Sequence, residues 1–401
     1  MRIGLVAADF WPNVGGLSAH VVKLVPALLR QGHRVDVITR PLGANREPLA
    51  TLDGMQVHRP RLPQLRPFSH WALHRWLRQF VERQPLDLLH VHGLRPMPAV
   101  RGLGLPVVFT NQTSGFLQRL ERGWLAKRRV ARHLAAADAI LAPSEELAAA
   151  TRSLQLPTPV RYIPNGVDPL RFRPDVPSAR GPLGIPERDV VVLLARRLVA
   201  KNGVCVFAEA ASGFIRPGVR ILFAGDGPER AEVEAILRRT GSLRHATFLG
   251  NVPNTQMPAI YRAADISVLP SFLEATSITG LESMATGLPL VGTRVGGIPA
   301  LIDHERTGLL VNPGDPVGLA AAIARLIELP AQRLAYGEAA RQRILAEFSW
   351  DVIARSTVEE YERLLEATAH GDPEREETRR TLGPAPAVAV ESPGLSRGKA
   401  A

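Results

Sequence analysis

Glu274 and Glu282 are separated by seven residues within the stretch SFLEATSITGLESMATGLPLVGTRVGG, which runs from Ser271 to Gly297. They fall on either side of a predicted loop-to-helix junction formed by Thr276, Ser277, Ile278 and Thr279. A helix start presents unpaired backbone N–H groups and the positive end of the helix dipole, an arrangement suited to a diphosphate. Carboxylates flanking it can accept hydrogen bonds from sugar hydroxyls. A plainer reading stands beside this one. Thr279-Gly-Leu-Glu282 fits a capping box with Thr279 as N-cap, and Glu274 then becomes an ordinary loop carboxylate.

Three further groups carry candidate chemistry. Gly15 and Gly16 follow the first predicted strand and precede a helix, where adjacent glycines let a backbone approach a phosphate closely. Arg197 and Lys201 lie in Arg196-Arg197-Leu198-Val199-Ala200-Lys201-Asn202-Gly203, after another predicted strand. An arginine fork with a lysine point charge is a natural pair for a diphosphate, although a solvated basic loop has the same composition. His90 and His92 alternate at a strand end and share one face, with His20 on the preceding helix. Two histidines at that spacing can begin a metal site, but no third ligand of suitable spacing follows, so no metal is expected.

Glu-x7-Glu followed by Met284-Ala285-Thr286-Gly287-Leu288-Pro289-Leu290 resembles the signature of the retaining GT-B glycosyltransferases of family 4. The resemblance covers about residues 1–365 and is densest over 190–315. It implies two Rossmann-like α/β domains facing a cleft, with a C-terminal helix crossing back to the first domain. It also implies transfer of a sugar from a UDP or GDP sugar to an acceptor hydroxyl, with retention of configuration and no cofactor beyond that co-substrate. By resemblance Glu282 holds the ribose and Glu274 the sugar hydroxyls, while Arg197 and Lys201 stabilise the departing diphosphate. Gly15 and Gly16 face that diphosphate, and Asn251 and Val252 lie near the base. His92 lies by the acceptor and the sugar. Two departures from the pattern appear: Arg196 replaces a glycine, and Asn202 intervenes between Lys201 and Gly203. The competing readings are a nucleotide-sugar epimerase on the same fold and a non-catalytic nucleotide-sugar-binding protein. A phosphorylase-like enzyme needs a pyridoxal-binding lysine, and none of Lys23, Lys127, Lys201 and Lys399 has a suitable context.

The elements that must hold these groups alternate regularly. Short apolar runs at 3–8, 35–39, 86–91, 106–110, 139–142 and 160–163 are separated by helical patterns. After a break at Pro164-Asn165-Gly166-Val167-Asp168-Pro169 the rhythm resumes at 190–195, 220–224, 246–249, 266–269, 288–291 and 308–311. This is the pattern of βαβ units on parallel sheets. The expected divisions are an acceptor domain over 1–170, a donor domain over 171–348, a crossover helix over 349–368 and a disordered tail over 369–401.

At 401 residues and 45% hydrophobic content the chain has the make-up of a two-domain globular protein. Its single cysteine, Cys205, excludes an internal disulfide, and the expected location is cytoplasmic. Residues 1–170 hold 22 Lys+Arg against 11 Asp+Glu, whereas the rest hold 27 of each. The excess positive charge thus belongs to the first half and suggests an anionic partner. Residues 116–136 place Leu117, Leu120, Trp124 and Leu125 at roughly helical spacing among six basic residues. Such a segment suits contact with an anionic membrane surface or a lipid-linked acceptor, and hence a peripheral position at the inner face of the membrane, although an ordinary core-facing helix with a solvated basic side is a commoner source of the same pattern. Sugar and small-molecule acceptors fit equally. Aromatics are 5% and not interleaved with the basic residues, so nucleic acid is not expected.

Overall fold

The computed structural model describes the chain apart from residues 8–9, 11–15, 41–48, 53, 64, 66–67, 111–114, 275 and 370–401, and apart from the side chains of residues 16–19 and 52. Gly15 and the tail expected to be disordered therefore lie outside the described residues.

Among the described residues two sheets form. The first contains β1 (Arg2–Ala7), β2 (Arg34–Thr39), β3 (Leu49–Leu52), β4 (Met55–His58), β5 (Leu88–His92), β6 (Val107–Thr110), β7 (Ala139–Ala142) and β8 (Val160–Tyr162), in the order β3-β4-β2-β1-β5-β6-β7-β8. Only the β3–β4 pair is antiparallel. The second contains β9 (Val190–Leu194), β10 (Val219–Ala224), β11 (Ala246–Gly250), β12 (Ile266–Leu269), β13 (Leu290–Thr293) and β14 (Gly308–Val311). Its order, β11-β10-β9-β12-β13-β14, is fully parallel and doubly wound.

Helices cover both faces of each sheet, which is why the strands read as unbroken apolar runs. Val191, Val192, Leu193 and Leu194 in β9 are all fully buried. Apolar clusters lie on each side of the second sheet. The last helix, Trp350–Ala369, crosses back as expected and sends Trp350, Ile353, Val358, Tyr361 and Leu364 into the core beneath the first sheet. Ser349 caps it, its Oγ accepting from the Val352 N–H at 3.4 Å. The two chain crossings between the sheets are stitched together: Val167 N–H donates to Phe348 O at 2.8 Å, and Trp350 N–H to Val167 O at 3.1 Å.

The parallel order fixes where a ligand belongs. Connections leave β9 on one side and β12 on the other, and a crevice opens at the C-terminal ends between them. Residues 195–198 follow β9 and residues 270–274 follow β12.

Candidate functional site

The crevice holds a cavity of about 780 Å3 lined by, among others, Arg196, Arg197, Asn251, Val252, Tyr261, Thr279 and Glu282. The size is typical of a pocket for a cofactor-sized molecule. One wall is a turn, Gly225-Asp226-Gly227, packed against the backbone after β9. Leu198 N–H donates to Asp226 O at 3.0 Å. A Cβ on Gly225, whose φ is 148°, would sit 2.0 Å from Arg196 O. Gly225 and Gly227 therefore meet the Arg196–Leu198 backbone with no side chain between, and Asp226 stands between them in the cavity wall.

The helix Ile278–Ala285 forms the floor. Ser277, not Thr279, is its N-cap, and its Oγ accepts from the Gly280 N–H at 3.2 Å. The capping box of the sequence reading is therefore not formed. Thr279 sits in the first turn and Glu282 is released to face the cavity. Glu282 is buried, and its Oε2 accepts the Tyr261 hydroxyl at 2.9 Å. Burial pushes its carboxyl above the ordinary range, opposed by hydrogen bonds from Tyr261 and Asn254 and by the charges of Arg171 and Lys23. Lys23 comes from the first helix, Gly16–Arg30, so both halves of the chain contribute to the field at this carboxylate.

Glu274 follows β12, and its backbone is fixed by the Gly296-Gly297 turn. Gly297 N–H donates to Glu274 O at 3.1 Å. Gly296 has φ 52°, and a Cβ there would lie 1.6 Å from the same oxygen. The Glu274 Oε2 is ion-paired with Arg196 Nη2, and Arg196 Nη1 donates to Ser271 Oγ.

The cationic pair of the sequence reading separates. Arg197 lines the cavity, whereas Lys201 is exposed on a 3-10 turn, Ala200–Asn202, and is not among the lining residues. The intervening Asn202 is buried and donates through Nδ2 to Arg197 O at 2.7 Å, bracing that arginine from behind. Thr276 Oγ1 reaches the other half of the chain and donates to Pro143 O. Ile278 is exposed at the cleft-side start of the helix.

In the first sheet Gly16 opens its helix, and His92 ends β5. His92 is fully buried, with both ring nitrogens lacking a hydrogen-bond partner among the described residues, 4.2 Å from the His90 ring and 5.4 Å from that of His20. It does not line the cavity between β9 and β12. His90 bonds Tyr361 Oη at 2.6 Å and Thr110 Oγ1 at 2.5 Å, while His20 bonds Asn165 Oδ1 at 2.8 Å. Burial holds His20 down at about 4 and His90 at about 3, and depresses His92 well below the usual value, so the cluster is neutral. Among the described residues no group of three His, Cys, Asp or Glu side chains is arranged to hold a metal ion.

Sequence reasoning missed Tyr261, Asn254, Arg196 and Glu146. Glu146, in the helix Glu145–Arg152 of the first half, carries a buried Oε2 with no hydrogen-bond partner among the described residues, 3.2 Å from where a Gly296 Cβ would stand. Burial raises its carboxyl above the ordinary range. Its signal, a Ser-Glu-Glu helix start, is too common to single out.

A basic recess lies elsewhere, on the first half. The 116–136 segment is two helices, Gly115–Leu120 and Trp124–Leu134, broken at Gly123 with φ 102°. The apolar set expected on one face is divided. Leu120 is buried and Leu117 half-buried, but Trp124 is 66% and Leu125 67% exposed.

Two Rossmann-like sheets, a crevice at a switch point and a recrossing C-terminal helix define a GT-B glycosyltransferase fold. Residues 175–343 match the model of the Glycosyl transferases group 1 family, and residues 14–171 match that of Glycosyltransferase Family 4. A GDP-mannose-dependent alpha-mannosyltransferase of Mycolicibacterium smegmatis is 31% identical over 387 residues, covering 91% of this chain and 98% of that protein. An uncharacterised glycosyltransferase of Methanocaldococcus jannaschii is 26% identical, covering 91% and 99%. Among solved structures, sucrose-phosphate synthase of Thermosynechococcus elongatus superposes with a TM-score of 0.76 at 24% identity, covering 91% of this chain and 99% of that one. Anabaena HepE in complex with UDP gives 0.75 at 20% identity, covering 90% and 100%. The chain belongs to the glycosyl transferases group 1 family, and it is a transferase of sugars.

Proposed function

We propose that this protein transfers a hexose from a UDP or GDP sugar to an acceptor hydroxyl with retention of anomeric configuration. The observation that carries this reading is the convergence of Arg197, Asn251, Thr279 and the buried Glu282 on one cavity at the switch point of the second sheet. Glu282 offers a carboxylate to the two ribose hydroxyls. Arg197 and the N–H groups at the start of the Ile278–Ala285 helix face the diphosphate and stabilise the charge that develops as the sugar–phosphate bond breaks. These fixed positive groups are the basis for proposing that no cofactor is needed. Glu274 accepts from the sugar. The acceptor oxygen forms its bond to the anomeric carbon on the face the phosphate leaves, and its proton passes to the departing phosphate oxygen. A relative named for GDP-mannose and a structural neighbour holding UDP keep both nucleotides in play.

The test is product analysis by NMR after incubation with UDP- and GDP-sugars and a panel of sugar, lipid-linked and small-molecule acceptors. An axially linked product from an axial donor is expected. An inverted linkage would refute retention, and a free epimerised sugar would make the protein an epimerase.

The recess on the first half supports a peripheral membrane position. About 500 Å3 is lined by Leu125, Arg128, Arg129, Arg132 and His133, with Trp124 exposed beside Leu125 at the start of the same helix. Cations can hold lipid phosphates while the two apolar side chains enter the interface. Among the described residues no helix is long and apolar enough to cross a membrane. Sedimentation with anionic vesicles, reduced by salt and by W124S/L125S, is expected; equal binding to neutral vesicles would argue against the site.

A further inference from the structure

Arg196 stands where the resembled pattern has glycine, yet it is a built part of the site. Its side chain is only 9% exposed and that of Glu274 14%. Nη1 donates to the Oγ of Ser271, itself fully buried, and Nη2 pairs with Glu274 Oε2. The guanidinium thus ties together two points of the loop after β12, Ser271 and Glu274. It also lines the cavity, and its charge reaches Tyr261, the partner of Glu282. Arg197, one residue on, is exposed, so the two arginines do different work.

We propose that Arg196 is the positioning residue that sets donor-sugar specificity by fixing which oxygen of Glu274 meets the sugar. With Oε2 held by Arg196, Oε1 is the oxygen the guanidinium does not hold. A sugar hydroxyl placed there donates to Oε1 and accepts from a guanidinium N–H, so its donor and its acceptor capacity are both used. A glycine at 196 leaves both carboxylate oxygens to the ligand, which suits a pair of adjacent hydroxyls instead. The site accordingly selects a donor with a single well-placed hydroxyl between two opposite charges. A deoxy analogue at that position is rejected, because it leaves both buried groups short of a partner. The inference rests on the nucleotide-sugar reading of the cavity.

The test compares wild type with R196G, R196Q and R196K. Isothermal calorimetry is run with the nucleoside diphosphate alone, UDP or GDP as wild type prefers, and with its sugar conjugate. Affinity for the diphosphate should stay within about twofold in every variant, which also certifies the fold. Affinity for the sugar conjugate should fall about tenfold or more in R196G and R196Q and be partly restored in R196K. Turnover of the matching deoxy-sugar donor relative to the parent should rise in R196G. Parallel loss of both ligands would place Arg196 on the diphosphate and overturn the proposal. Unchanged sugar binding in R196Q would overturn it as well. A wild-type protein that bound neither ligand would defeat the donor reading itself, and this inference with it.

Discussion

The Tyr261 hydroxyl donates to Glu282 Oε2 at 2.9 Å, and both side chains are buried. A carboxylate in that setting keeps its charge only while its donors are in place. Tyr261→Phe removes one donor and should push the Glu282 carboxyl further above the ordinary range. The expected cost is about 1–3 kcal/mol in stability. Nucleotide affinity should weaken in parallel. Chemical denaturation and nucleotide titration of the same variant check both.

Glu274→Ala removes the partner of a buried guanidinium as well as the proposed sugar contact. Breaking such a pair from one side typically costs about 3–5 kcal/mol. The alanine variant therefore confounds catalysis with stability, and Glu274→Gln is the cleaner change because it keeps size and an acceptor oxygen. Both should lower turnover by about 100-fold or more. The unfolding midpoint should fall further for alanine. Turnover at the wild-type level in folded Glu274→Gln would remove Glu274 from the chemistry.

Arg197 and Lys201 should separate on mutation. Arg197 lines the cavity and is braced through its carbonyl by Asn202, whereas Lys201 is exposed outside the lining. Arg197→Ala is expected to reduce kcat by about 100-fold. Lys201→Ala should cost less than about tenfold, in keeping with an exposed cation. Steady-state kinetics on the two variants decides this, and equal large losses would return Lys201 to the diphosphate.

The histidine cluster predicts an acid-labile fold. His20 titrates at about 4 and His90 at about 3 in the folded chain, against an ordinary value of about 6.5. Between those values the unfolded state binds more protons than the native state. Stability is therefore fully present above about pH 6.5 and is lost as the pH falls toward 4, at up to about 1.4 kcal/mol per pH unit for each histidine. Denaturant unfolding from pH 7 to pH 5 should show the decline, and His20→Asn should make it shallower while His90 keeps part of it. A flat profile in wild type would mean that these histidines are charged when folded.

Much of the second sheet is legible in the sequence because its strands are short apolar runs set off by turns, as in Val190–Leu194 and Ile266–Leu269. The Leu49–Leu52 and Met55–His58 strands are not, since their alternation is brief and they form the edge of the first sheet. Glu282 stands out by its spacing from Glu274, but its partner Tyr261 lies 21 positions away on another helix. Arg196 shows in the sequence only as a departure from a pattern. Its meaning comes from Glu274, 78 positions away, which the sheet order brings opposite. The basic segment reads as one amphipathic helix because periodicity alone does not register that Gly123 adopts a positive φ and divides it.

Glu282 and its neighbours are proposed to form a nucleotide-sugar pocket. Thermal unfolding of wild type and Glu282→Gln, each with saturating UDP, GDP and ADP and their sugar conjugates, tests it most directly. One nucleotide series should raise the wild-type midpoint by several degrees, since ligand at about 100 times Kd adds about 2.7 kcal/mol to the native state. Glu282→Gln should lose most of that increment while remaining folded. No shift in folded wild type with any series, or an undiminished shift in the variant, would mean that Glu282 does not hold a nucleotide in this cavity.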